Sequence, residues 1–335
     1  MTNNNDLTGL EIVDVPVDTE RALARIRARV ERERIAPVTR APGAGNRPLV
    51  SVWLRGLAAA ASVVLVLTLL TVSGVAETIL TIFEPKQVVA VPVTGADLSA
   101  AASGLGTYGT LEWSATPRPY DVPDAATAAR ETGLTVRTPS QLPSGVQTST
   151  VRFGVMPRTT ATFTFSADMT RAAASRVGRT PPPMPANIDG SKLFITGGPV
   201  VVQHFAASAP AATGESARFA GVPALIIAQG KGPVVQSDGV TVEQLQQYLL
   251  AQPGISPQLA AQIRAIKDPS STLPIPIPVD MATSKTVTVQ GVSGVFIGDS
   301  TGLGSAVIWQ KDGIVFGVAG TLTEAQVLAV ANSLR

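Results

Sequence analysis

Apolar residues follow three rhythms along this chain. From Gly56 to Ala76 they form one uncharged run, GLAAAASVVLVLTLLTVSGVA. Upstream, Leu23, Ile26 and Val30 recur at helical spacing between arginines. Downstream they mostly alternate with polar residues, the period of half-buried strands. As a helix the run would rise about 30 Å, the thickness of a bilayer's hydrocarbon core. It predicts a transmembrane helix over 53–76, with Trp53 at the interface.

Ahead of it, Asp18 caps a narrow amphipathic helix over 18–35, which Pro37 and a Pro/Gly/Asn-rich joint terminate. Beyond it, Ile79–Phe83 is read as prolonging the membrane helix, and Gln87–Val93 as extended. The low-complexity patch Gly95–Gly106 is followed by a segment Tyr108–Trp113. Asp124–Thr132 is helical and stops at Gly133. A strand at Leu134–Arg137 and the loop TPSQLPSG (Thr138–Gly145) come next. Strands are expected at Thr148–Phe153, Ala161–Ser166, Lys192–Thr196, Val200–Phe205 and Pro223–Ala228, with Phe163 and Phe165 on one core face.

Helices are expected at Asp168–Val177, Val242–Ala251 and Pro257–Ile266, and a rigid spacer at Pro181–Pro185. LPIPIPV (Leu273–Val279) must be an edge or a strap, because each proline lacks a donor. A meander closes the chain at Thr286–Gln290, Val292–Gly298, Ser305–Gln310 and Ile314–Ala319, with Asp312–Gly313 as a tight turn. The last helix, Thr323–Leu334, places Ala325, Leu328, Val330, Ala331 and Leu334 toward one side. The fold class expected is α+β: one transmembrane helix, then an extracytoplasmic antiparallel-sheet domain with packed helices.

Charge orients this scheme. Between Arg21 and Arg55 lie nine arginines, Arg40, Arg47 and Arg55 nearest the membrane, against Glu31 and Glu33. The stretch Glu77–Asp97 holds one lysine against three acids. The positive-inside bias makes 1–52 a cytoplasmic tail and places the C-terminal part outside. That tail is far longer and more charged than a signal n-region, so a retained single-pass anchor is expected over a cleaved signal. The net charge of +2 comes largely from the juxtamembrane arginines. Topology accounts for its arginines and no aromatics interleave them, so no nucleic-acid partner is expected. With no cysteine, disulfides and Cys-ligated zinc are excluded. One histidine, His204, and carboxylates without calcium-loop spacing give no metal site, and no cofactor is expected.

The order helix–Gly–strand–TPSQLPSG–strand, followed by VTVQGVSGVFIGD, VIWQKDGIVFGVAG and LTEAQVLAVANSL, resembles an extracytoplasmic domain of unknown function, family 4367. Such domains follow a single span in bacterial anti-sigma-factor-like membrane proteins. The likeness covers Pro123–Arg335, giving a domain at 123–335 with an insertion near 191–278, and 77–122 as juxtamembrane linker and first strands. It carries no catalytic residues across. Zinc-holding anti-sigma factors use a His and Cys cluster ahead of the membrane. This tail has neither, so a sigma factor would have to meet the helix through Leu23, Ile26 and Val30.

Three further signals bear on chemistry. Gly298–Gly302 matches G-x-S-x-G around Ser300, but another strand follows it and His204 precedes it, contrary to hydrolase order. A Gly-rich hairpin loop is the simpler reading. For His204 to serve Ser300, Asp238 or Asp268 would have to complete the set. QPGISPQLAAQI (Gln252–Ile263) resembles a DNA-binding helix–hairpin–helix with its second glycine replaced by Ser256, and packing of two short helices is preferred. Trp113 and Trp309 are most simply core aromatics; exposed, they are candidate surface aromatics for stacking on a sugar or peptide. The expectation is a membrane regulator or sensor whose outer domain binds an envelope protein, peptide or ligand. The alternatives are an envelope binding or structural module without signalling and, remotely, a serine hydrolase using Ser300.

Overall fold

The computed structural model describes residues 79–102, 105–147, 151–176, 178–207, 224–252, 255–300, 302 and 304–335. The amphipathic helix at 18–35, the arginines 40, 47 and 55, and the apolar run 56–76 lie outside them. No helix among the described residues is long and apolar enough to cross a membrane.

The described chain is α+β, with two antiparallel sheets and one parallel strand pair. In chain order the strands are β1 (Leu80–Phe83), β2 (Gln87–Val93), β3 (Gly109–Trp113), β4 (Tyr120–Val122), β5 (Arg152–Met156), β6 (Thr159–Phe165), β7 (Lys192–Gly197), β8 (Val200–Phe205), β9 (Leu225–Lys231), β10 (Val234–Ser237), β11 (Thr272–Pro278), β12 (Ala282–Val289), β13 (Val292–Asp299), β14 (Ser305–Lys311) and β15 (Ile314–Gly320). The helices are α1 (Gly95–Ala102), α2 (Leu105–Tyr108), α3 (Ala125–Thr132), α4 (Ala167–Arg176), α5 (Val242–Leu250), α6 (Pro257–Arg264) and α7 (Glu324–Ser333).

The larger sheet runs β12-β13-β14-β15-β9-β8-β5-β4 and the smaller β1-β10-β7-β6-β3. Three chain paths pass from one sheet to the other with only two residues between strands: β5 to β6 through Pro157–Arg158, β7 to β8 through Gly198–Pro199, and β9 to β10 through Gly232–Pro233. Because β5-β8-β9 and β6-β7-β10 stand in the same order, the two sheets share one three-stranded ribbon turned at proline-bearing corners. Proline interrupts the ladder at each corner, and this lets a strand leave one sheet for the next.

Both sheets face a common core. Phe163, Phe165, Leu193 and Val235 of the smaller sheet join Val295 of the larger, Val88 and Val91 of β2, and Leu245, Tyr248, Leu259 and Ile263 of α5 and α6. Phe163 and Phe165 meet edge-to-face at 4.9 Å, as their alternation predicted. The far side of the larger sheet buries Ile227, Phe296, Val307, Trp309, Phe316 and Val318 under Val327, Val330 and Ala331 of α7. A third cluster sets Ala128 of α3 against Phe153, Val155 and Val201.

Local chemistry explains several boundaries. The Asp124 carboxylate accepts the Thr127 N–H at 2.7 Å to open α3, and Gly133 ends it at φ 67°. Gln290–Gly291 (φ 48° and 82°) and Asp312–Gly313 (φ 53° and 77°) make the two-residue turns of the β12–β13 and β14–β15 hairpins. The proline-rich segment is an outer strand: β11 pairs in parallel with β2 alone. Donation from Gln87 N to Ser271 O and from Val279 N to Val93 O fixes the alternation, so that Leu273, Ile275 and Ile277 turn their N–H groups toward β2. Pro274, Pro276 and Pro278 stand on the opposite edge, which from Pro274 onward therefore offers no donor to a further strand.

Several expectations are corrected. Leu80–Phe83 is a strand paired with β10 rather than a helical continuation; its β-branched and aromatic residues suit a sheet, and abutment on the apolar run disguised them. Gly95–Gly106 carries α1 and α2. Leu134–Arg137, expected as a strand, joins no ladder. The strand expected at Thr148–Phe153 is β5, which runs from Arg152 to Met156, and Val234–Ser237 adds a strand that was not anticipated. On α7, Val327 is buried where Ala325 was expected, and Ala325 is exposed. Residues 80–122 pair with β10, β11, β6 and β5, and 191–278 supplies strands to both sheets.

Tyr108, at the end of α2, gives a first prediction. Burial and then neighbouring Tyr248 push its phenol up to about 12. A raised phenol stabilises the fold in full below the ordinary value near 10 and loses that contribution as pH climbs from there to about 12. The urea midpoint should therefore fall across that window, and Tyr108→Phe should flatten the fall.

Candidate functional site

The most exposed tryptophan of the described domain is at an edge. Trp113 ends β3, the outermost strand of the smaller sheet, and is 52% exposed. The chain then runs through Ser114, whose N–H and hydroxyl bond Thr160 O at 3.0 Å, to Tyr120 on β4, the edge of the larger sheet. Tyr120 is exposed too, and its hydroxyl donates to Glu131 at 2.7 Å. The simpler core reading is thereby corrected for Trp113, which has the accessibility that stacking on a ligand requires. Trp309 lacks it, and its role as a surface aromatic is corrected. It lies on the inner strand β14, fully buried under α7 and stacked on Phe316 at 5.2 Å. The difference is one of position: α7 covers the face of β14 that carries Trp309, whereas Trp113 closes the outermost strand of its sheet.

Beside Tyr120, β4, β5 and β8 bring three charged or titratable side chains near one another. Arg152 pairs in register with His204, and Asp121 with Gly154. Burial, and then Arg152, hold the His204 imidazole below its ordinary value, with Asp121 opposing. It is therefore neutral near pH 7, and its buried Nδ1 has no hydrogen-bond partner. Such a group can accept a proton or a hydrogen bond.

It cannot serve Ser300. The ladder from His204 runs through Ile226, Ala319 and Ala306 to Ile297, four strand steps or about 19 Å, and Ser300 lies beyond, in an exposed turn. Its N–H bonds Met281 O at 2.9 Å. Asp238 accepts the Lys192 N–H at 2.8 Å, and Asp268 accepts the hydroxyls of Ser270 and Ser271, each at 2.6 Å. The structure does not assemble these residues into a triad. Among the described residues, no three His, Cys, Asp or Glu side chains are grouped to hold a metal ion. In the segment Gln252–Ile263, Leu259 and Ile263 enter the main core, and Ser256 caps α6 through the Leu259 N–H at 3.1 Å.

A polar network unanticipated from sequence lies between α7 and the larger sheet. Gln203 and Gln229, both fully buried, donate to Arg137 O at 2.8 and 2.9 Å, and Gln229 accepts the Arg137 N–H at 3.0 Å. These amides replace the ladder that Leu134–Arg137 lacks. The Arg137 guanidinium bonds Gln290 at 3.2 Å, pairs with Asp312 at 3.5 Å and lies 5.2 Å from the centre of the Phe316 ring. Gln290 in turn donates to Ala331 O at 2.8 Å, satisfying a carbonyl at the end of α7. Thr138 and Arg335 exchange backbone bonds at 3.1 Å in both directions. The TPSQLPSG loop is thereby a strap over the last turn of α7. Two isolated glutamines at core parity in otherwise apolar strands, VVVQHF and LIIAQGK, are the signal that would have revealed it.

No family model matches the chain, and comparison with curated proteins and with solved structures returns no match.

Proposed function

We propose that this protein is a single-pass membrane regulator or sensor of the anti-sigma-factor-like kind, its N-terminus cytoplasmic and its α+β domain outside. The observation that carries the reading is the sequence of charges and apolar residues: an arginine-rich tail, an uncharged run of membrane-spanning length, and then a folded domain whose first strand starts at Leu80. The outer domain binds an envelope protein, peptide or ligand, and Trp113 is the side chain best placed to stack on it. Inside, Leu23, Ile26 and Val30 form too thin a stripe for an isolated helix to persist, so they meet a cytoplasmic partner such as a sigma factor.

Protease added to intact cells should digest a C-terminal tag and spare an N-terminal one; the reverse pattern rejects the topology. A 1–52 peptide that retrieves no sigma factor or other regulator rejects the signalling half. The exposed indole of Trp113 also fits a cell-envelope binding or structural module with an inert tail. Deletion of residues 1–45 without change of phenotype selects that alternative.

A further inference from the structure

The chain dives into the core almost as soon as the apolar run ends. Ile79 and Leu80 are 53% and 39% exposed, whereas Ile82 and Phe83 are 4% and 1% exposed, on a strand that pairs with β10 through Leu80, Thr81 and Phe83. Four Cα steps separate Ala76 from Leu80, a reach of at most about 14 Å. The polar layer on each side of a bilayer is about 5–8 Å thick. A domain fixed at Leu80 therefore has no stalk.

We infer that the β1 end of the smaller sheet rests on the outer leaflet of the membrane, with Ile79 and Leu80 seated in its interfacial layer. The surface beside them is set by the register: Leu80 lies opposite Ser237 and Thr81 opposite Gln236. Thr81 and the turn at Asp238–Gly239 accordingly face lipid. Exposed apolar residues of this kind gain free energy in an interface while the backbone stays paired with β10. The opposite side of the molecule is carried away from the bilayer. Helix α7 packs on the face of the larger sheet opposite the one whose core holds Ile82 and Phe83. The inference rests on the proposed anchor at 56–76.

The absence of cysteine allows single-site labelling of the full chain without background. Thr81→Cys, Gly239→Cys and Ala329→Cys each change an exposed residue, and a side chain at Gly239 meets nothing within 4 Å. The full-length protein, labelled with an environment-sensitive fluorophore, is reconstituted in phosphatidylcholine–phosphatidylglycerol vesicles that contain a headgroup-attached quencher. Quenching at 81 and 239 should exceed that at 329 several-fold, and ten Gly/Ser residues inserted between Thr78 and Ile79 should abolish the difference. Equal quenching at all three sites, in protein that resists alkaline extraction, overturns the apposition and leaves the anchor standing. Release of the protein by alkaline extraction overturns both.

Discussion

Trp309→Ala is expected to cost about 3–5 kcal/mol of folding stability, a large share of the roughly 5–15 kcal/mol that a native domain has. The indole is fully buried, lies nearly parallel to Phe316 with 13° between the ring planes, and belongs to the cluster that receives Val327, Val330 and Ala331 of α7. Truncation leaves a cavity where sheet and helix meet, and neither element can collapse into it without disturbing the Arg137 strap. Trp309→Phe should cost much less. It keeps the stacking, and it removes an indole N–H that is buried without an acceptor, whose desolvation offsets part of the lost volume. Urea melts of both variants provide the check. An alanine variant within about 1 kcal/mol of the parent would mean that α7 does not depend on this contact.

The two tryptophans show what a sequence can and cannot say about burial. Trp113 ends GTLEW and Trp309 lies within SAVIWQK, and such a pattern identifies a strand without revealing the strand's neighbours. Trp113 is exposed because β3 is last in its sheet; Trp309 is buried because β14 has partners on both sides and α7 above it. Features with local causes were legible: the helix that follows Asp124, the stop at Gly133, the Asp312–Gly313 turn, and the confinement of Pro274, Pro276 and Pro278 to an outer edge. Features with distant causes were not. The four-residue strand Val234–Ser237 exists because β1 and β7 flank it, and Leu134–Arg137 is held by amides from Gln203 and Gln229, which lie far along the chain. The candidate chemistry followed the same division. The hairpin loop at Ser300 could be judged from its local motif, whereas the proximity of His204, Arg152 and Asp121 needed the strand order.

Gly230→Ala should be the most damaging single-methyl change in the shared ribbon, because it strikes the corner that makes two sheets out of one set of strands. A Cβ at Gly230 would lie 2.6 Å from the Pro199 carbonyl oxygen and 2.7 Å from Val200 Cγ2. Neither atom can withdraw cheaply. Pro199 O already accepts the Lys231 N–H at 3.2 Å, and Val200 begins β8 directly opposite Gly230. A cost of about 1–3 kcal/mol or more is expected from such overpacking. Gly317→Ala is the matched control: Gly317 lies on the adjacent strand β15, opposite Ala228, and a Cβ there meets nothing within 4 Å. Its replacement should change the urea midpoint little. Hydrogen exchange separates a local lesion from a shared one. Because β7–β8 and β9–β10 carry the strain from the corner in both directions, amides of both sheets should lose protection together in Gly230→Ala. Loss confined to one sheet would show that the sheets are stabilised independently, and equal midpoints for Gly230→Ala and Gly317→Ala would show that the corner is not tightly packed.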